Sequence, residues 1–201
     1  LQRVALDFVP RRIVLSADGL KAAAFAPEEG IFVVVDLLFA TTIGPSRRHA
    51  HLHDLLFDRY GRHLYIADAD GIERFGIHEG RSLGRIGPAG AVTRLDPSAS
   101  GRQLYARSGD GRISAIELED AAGHAASHTA LAAGPGVARA YTNATGTRLF
   151  LPDSQQRRIS FVSPLTLETE AALPATSGLG HVYSAWFDTV AFVPSEENGA
   201  V

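Results

Sequence analysis

The chain predicts an all-β architecture, a β-propeller of four-stranded antiparallel blades, and three observations carry that expectation. Turn glycines recur at Gly19, Gly61, Gly101 and Gly146, a spacing of about 40–45 residues that marks propeller blades. Each glycine stands between two apolar segments, and two further apolar segments follow before the next. No compositional seam interrupts the 201 residues. A single four-stranded sheet cannot bury both of its faces, so successive units must stack on one another. The reading is one domain over 1–201, with blades near 9–44, 49–87, 89–132 and 134–174 and a partial one over 180–201.

In the first blade the predicted strands are Ile13–Ser16, Ala22–Ala26, Ile31–Val35 and Phe39–Ile43. The second is the cleanest: Leu52–Asp58, His63–Asp68, Ile72–Ile77 and Ser82–Ile86, with Asp70-Gly71 supplying the positive φ that a two-residue hairpin needs. The third repeats this with Val92–Asp96, Gln103–Arg107 and Arg112–Leu118 around Asp110-Gly111, and the segment 119–127 is expected to be a surface excursion, with His124 and His128 solvated in that long loop. Val137–Thr142, Arg148–Leu151, Ile159–Val162 and Thr169–Leu173 make the fourth. Val182–Phe187 and Ala191–Val193 begin a fifth, with Phe187-Asp188-Thr189 at the expected turn. The strands are nearly continuously apolar, as expected when neighbouring blades cover both faces.

Composition narrows the function classes. A net charge of −3 lacks the basic excess that phosphate backbones demand, so nucleic acid is not an expected partner. The longest apolar run is interrupted by Asp36, and no segment reaches the roughly 18 residues needed to span a bilayer. Cysteine is absent, which removes disulfides, thiolate metal sites and a cysteine nucleophile. No Gly-x-Ser-x-Gly elbow occurs, Gly84 to Gly90 lacks a Walker lysine, and Asp68-Ala69-Asp70-Gly71 lacks the closing glutamate of a calcium loop and reads as a hairpin turn. Asn143-Ala144-Thr145 is a formal sequon placed where a turn wants asparagine.

Ser16-Ala17-Asp18-Gly19, then Gly61-Arg62-His63-Leu64-Tyr65-Ile66-Ala67-Asp68, then Ser163-Pro164-Leu165-Thr166 ahead of Leu167-Glu168-Thr169 resemble the YVTN-type propeller repeat. The third and fourth repeats depart from it, with Leu104-Tyr105-Ala106-Arg107-Ser108 and Leu149-Phe150-Leu151-Pro152-Asp153, and the first has Ala23 in place of the aromatic. A tryptophan-aspartate type of repeat fits less well, because the only tryptophan is Trp186. The resemblance implies a ring of about seven blades and roughly 290 residues, of which this chain is expected to be a fragment. Leu1–Asp7 is then expected to be the outer strand of a blade whose other strands lie elsewhere. A terminal blade face would be left bare, forfeiting roughly 1.5–3 kcal/mol for each large apolar side chain. A periplasmic or extracellular setting is what the resemblance implies.

The densest polar cluster is His49-Ala50-His51-Leu52-His53-Asp54, ahead of the second inner strand. If the strand begins that early, its period of two places His49, His51 and His53 on one face. Superposing Asp58 on Asp188 brings His51 onto His181, so both imidazoles are expected at one channel mouth, where His51 and His181 are the candidate ligands of a divalent metal. His49, His51, His53, Asp54 and His181 are therefore the candidate ligand-binding residues, with a solvated loop as the plain alternative. No other cofactor is expected. The function expected is a non-catalytic binding or scaffold module, presenting a channel mouth to a protein or small ligand. The alternative implied by the resemblance is a propeller enzyme or enzyme subunit, such as a lactonase-type hydrolase or the large chain of a quinoprotein amine dehydrogenase.

Overall fold

Strands form where the apolar runs stand. A computed structural model describes residues 3–118, 128–176, 178–185 and 190–195. The chain forms two units, Leu1–Leu95 and Asp96–Val201, and each is described by itself. Trp186, Asp188, His124 and the 119–127 excursion lie outside the described residues.

In the first unit β1 (Arg12–Leu15), β2 (Lys21–Ala26), β3 (Ile31–Asp36), β4 (Thr41–Thr42) and β5 (Arg47–Arg48) make one antiparallel sheet. The strand expected over Phe39–Ile43 is instead divided, since β4 and β5 both pair with β3 and Gly44-Pro45 lies between them. Proline has no N–H to offer a ladder. A single 3-10 turn, Pro27–Glu29, joins β2 to β3. β6 (Asp54–Phe57), β7 (His63–Asp68), β8 (Gly71–Gly76) and β9 (Arg81–Ile86) form the next sheet in consecutive order.

β10 (Val92–Pro97), β11 (Gln103–Ser108), β12 (Arg112–Glu117) and β13 (His128–Ala132) make a third sheet. His128 is thus not in a loop; it opens β13 opposite Ile116. In the second unit β14 (Tyr141–Thr142), β15 (Leu149–Asp153), β16 (Arg158–Val162) and β17 (Thr169–Pro174) follow the same order, and β18 (Tyr183–Ser184) pairs with β19 (Ala191–Phe192).

One turn recurs at the first hairpin of four blades. The N–H of each turn glycine donates to the carbonyl three residues earlier, on Ser16, Asp58, Ser98 or Asn143, at 2.9–3.1 Å. The side-chain oxygen of that same residue accepts the N–H five residues on, from Lys21, His63, Gln103 or Arg148, at 2.8–3.1 Å. Only residues with a short acceptor side chain can close this loop. Asn143 is buried with its amide spent on Thr145 and Thr147, so the sequon is a turn device.

Stacked sheets bury the alternate side chains. Ala23, Phe25, Phe32 and Val34 of the first sheet pack on Leu55, Phe57, Leu64, Ile66 and Phe75 of the second. In the second unit Tyr105, Ile113 and Ala115 pack on Val137, Leu149, Leu151 and Val162. Each of the valine, leucine, isoleucine and phenylalanine side chains among them contributes roughly 1.5–3 kcal/mol of burial. The expected outer strand at Leu1–Asp7 is corrected: residues 3–11 hold no strand, and Val4, Leu6 and Phe8 lie on Ala22, Ala24, Val33 and Val35, covering that face of the first sheet. On the same face Ile13 and Leu15, opposite Ala24 and Ala22, stay 63% exposed. The first sheet's outer face is therefore covered except at its β1 rim, while Tyr183 and Phe192 of the last described strands are 57% and 50% exposed.

Candidate functional site

The segment leading into β6 is fixed by a close backbone approach. The His49 N–H donates to the Gly30 carbonyl at 2.7 Å, just after the 3-10 turn. Gly30 has φ 61, and a Cβ there would sit 2.5 Å from the His49 carbonyl oxygen. Glycine meets both demands. β6 begins only at Asp54, and His51 sits in a turn with φ 56. The condition for three histidines on one strand face is therefore not met, and their side chains go to different partners.

His49 points its Nε2 at Glu73 Oε2 (3.0 Å) and Asp68 Oδ2 (3.5 Å), while its Nδ1 lies 3.0 Å from the Ala50 carbonyl. The His53 Nδ1 lies 2.8 Å from the Val92 carbonyl oxygen. His51 is exposed. All three still line one open cleft of about 550 Å³ in the first unit, together with Pro27, Glu28, Glu29, Gly30, Arg48, Ala50 and Leu52.

Behind His49 the charges are ordered by the β7–β8 hairpin. Asp68 pairs in register with Gly71, and Ile66 with Glu73, so the two carboxylates project from the same face. Arg85 on β9 grips both Asp68 oxygens, at 2.9 and 2.8 Å, and the Asp70 N–H donates to Oδ1 at 2.7 Å. Burial alone would push the Asp68 carboxyl up, but the Arg85 bonds, the Asp70 N–H and the charges of Arg85 and His49 outweigh it and hold it below the ordinary range. The same bond to Asp68 raises the Arg85 guanidinium. In the sequence Asp68 reads as part of a hairpin turn in place of a calcium loop, and Glu73 carries no signal of its own; what pairs them is the hairpin register, which places a residue before the turn beside one after it.

Asp54 does not join the histidines. It is buried, accepts the Leu95 N–H at 3.0 Å, and lies 3.4 Å from Arg94 Nε and 3.9 Å from Arg12. Within the second unit Asp96 repeats the device, accepting the Ala140 N–H at 2.8 Å and the Arg139 guanidinium at 2.7 Å. Arg12, Asp54, Arg94 and Arg139 each stand seven residues before a turn glycine. That shared offset is visible in the sequence once the strands are in register.

The superposition of His51 on His181 is corrected by hydrogen bonding. Ser16, Asp58, Ser98 and Asn143 each donate their N–H to the carbonyl five residues on, and in the last blade Ala185 does so to Val190 at 2.8 Å. Ala185, rather than Asp188, is the counterpart of Asp58. His181 consequently shares its repeat position with Asp54, Arg94 and Arg139, and His51 has Gly178 as its counterpart. The His181 ring lies edge-on to Tyr141 and tilted against Tyr183, its centroid 4.6 Å from each. Desolvation there, then the Arg139 charge, lowers its pKa, against an opposing contribution from Asp96. The ligand atoms grouped within 4.8 Å of one another are those of His49, Asp68 and Glu73.

No protein-family model matches the sequence, and no curated protein matches it. Solved structures do. The β-propeller domain of Cps50 (Swd1) from Myceliophteria thermophila is similar with a TM-score of 0.73 at 13% identity, over 96% of this chain and 64% of that one. Kuenenia stuttgartiensis hydrazine synthase gives 0.68 at 16% identity, over 87% and 52%. Kluyveromyces lactis Hsv2 gives 0.69 at 14% identity, over 89% and 56%. The fold is that of a β-propeller built from four-stranded antiparallel blades. The chain spans between about half and two thirds of the length of these structures. No helix among the described residues is long and apolar enough to cross a membrane.

Proposed function

We propose that the chain is a propeller binding module that engages a protein segment or small polar ligand at the cleft in front of β6. The single observation behind this is the cleft's lining: Glu28, Glu29, Arg48, His49, His51 and His53 present acid, guanidinium and imidazole around about 550 Å³. Such a surface offers donors and acceptors of both signs to an extended polar ligand. The buried carboxylates Asp54, Asp68 and Asp96 are occupied by arginines and backbone N–H groups, which suits them to holding blades together more than to turnover. The quoted turn and strand motifs support a place among YVTN-type repeats, with an exported, periplasmic or extracellular setting.

The test is amide-detected NMR against a library of short charged peptides and polar metabolites. Hits should shift amides of 27–30 and 48–53, and Arg48→Glu combined with His51→Ala should weaken them at least tenfold. Hits that cluster elsewhere and ignore both substitutions would sink the reading, as would hydrolysis of a lactone by the purified chain.

A further inference from the structure

We propose that His49, Asp68 and Glu73 form a binding site for one divalent first-row transition-metal ion of the zinc type. The three side chains come from separate places, the lead-in to β6, the end of β7 and the middle of β8, yet their ligand atoms lie within 4.8 Å of one another. Zinc bonds to nitrogen and carboxylate oxygen are about 2.0–2.2 Å long, which sets the ligand-to-ligand edge of a tetrahedron at about 3.3 Å. The edges from His49 Nε2 are 3.0 Å to Glu73 and 3.5 Å to Asp68. They bracket that value.

Orientation of the imidazole points the same way. Its Nδ1 faces the Ala50 carbonyl, an acceptor only, and its Nε2 faces the two carboxylates, so an ion seated between Nε2 and the carboxylates would take the Nε2 lone pair while Nδ1–H donates to Ala50. A metal-ligating histidine is held by this kind of second hydrogen bond to a carbonyl. The carboxylate also has capacity left. Of the four lone-pair sites on Asp68, the two on Oδ1 receive Arg85 and the Asp70 N–H, and one on Oδ2 receives Arg85. The fourth, on Oδ2, belongs to the atom that faces His49.

Charge fits a dication. Asp68, Glu73 and Asp70 surround Arg85, with Asp70 Oδ2 3.8 Å from the guanidinium, so three carboxylates stand against one guanidinium beside the imidazole. Arg85 accordingly holds Asp68 in place as an outer partner of the site. Access is available too: the His49 and Glu73 side chains are 15% and 17% exposed while Asp68 is almost fully buried. An ion could reach the site from solvent yet be bound with little water around one ligand.

The experiment is calorimetric titration of the untagged, chelator-stripped chain with Zn²⁺, supported by Co²⁺ absorption as a report of coordination geometry. One ion per chain is expected, with tetrahedral Co²⁺ bands. His49→Gln and Glu73→Gln should each lower affinity at least tenfold, whereas His51→Ala and His181→Ala should leave it unchanged. Circular dichroism of each variant separates lost ligands from lost fold, and Glu73→Asp, which keeps an oxygen donor, should retain part of the affinity. Absence of binding by the parent chain overturns the proposal, and so does binding that survives both His49→Gln and Glu73→Gln or that follows His51.

Discussion

Asp68 in the second blade and Asp153 in the fourth occupy the same place in the repeat, seven residues after the turn glycine and at the end of the blade's second strand. Both are 1% exposed. Each uses Oδ1 to cap its own hairpin, accepting the N–H of Asp70 in one case and of Gln155 and Gln156 in the other. Beyond that the two diverge. Asp68 has Arg85, His49 and, one diagonal away, Glu73; Asp153 Oδ2 has no hydrogen-bond partner among the described residues. The residue that would stand where His49 stands is Gly134, whose N–H likewise donates to the preceding blade's hairpin glycine, Gly111. A Cβ on Gly134 would lie 3.7 Å from Asp153 Oδ2. Ser160 takes the register position of Glu73. The repeat thus builds the same turn twice, and a charged site arises only where non-repeating neighbours supply His49, Glu73 and Arg85.

The largest expected effect comes from breaking the approach that places those neighbours. Gly30→Ala puts a Cβ into the His49 carbonyl at a left-handed φ, and Gly111→Ala puts one 2.8 Å from the Gly134 carbonyl carbon. Each should cost about 3 kcal/mol in denaturant unfolding. Gly30→Ala alone should also abolish metal uptake; equal loss from Gly111→Ala would mean that the site owes nothing to its blade.

A sharper test exchanges the two carboxylates for amides. Asp68→Asn loses half of a charged pair whose arginine is 43% exposed, so about 2 kcal/mol is expected, less than a fully buried pair would cost. Asp153→Asn keeps the Oδ1 cap and changes only the atom that has no hydrogen-bond partner, so stability should stay within about 1 kcal/mol of the parent chain. In the parent chain the Asp68 carboxyl ionises at lower pH than in the unfolded chain, where the ordinary value is 3.8. Its stabilisation is therefore complete above that value and lost as pH falls through the folded one. Unfolding scans below pH 4 should flatten in Asp68→Asn and stay steep in Asp153→Asn.

The smallest effect belongs to His181, which holds the repeat position that Asp54, Arg94 and Arg139 fill elsewhere. Its folded pKa lies below the ordinary 6.5, so the unfolded chain takes the proton first. Stability is full above about pH 6.5 and declines as pH drops below it. His181 is solvent-exposed, so the decline should be slight, and His181→Gln should remove it in a thermal series across pH 5–8.

Particular residues show how far the fold was legible. His63–Asp68 was read with its boundaries intact, because Gly61 and the Asp70-Gly71 turn bracket an apolar run. The fourth strand of the first blade was not, since Pro45 interrupts the ladder and only pairing shows that Arg47–Arg48 rejoins β3. Among site residues, His49 was singled out for its local density of imidazoles, and the structure gives it two carboxylate partners. His181 was placed three positions out of register because Asp188 imitates a turn residue and no glycine marks the true turn. Asp54 was grouped with its sequence neighbours, but its side chain serves Arg94 and Leu95.

The sequence by itself determined the four-stranded repeat, its turn chemistry and its apolar faces, because these depend on interactions among residues close along the chain. Which charges meet was decided only in three dimensions. His49 reaches Glu73 and Asp68 across the gap between one blade's lead-in and its hairpin, and Arg85 reaches Asp68 from a different strand. Long side chains select partners by distance in space, and strand register, not spacing in the chain, sets that distance.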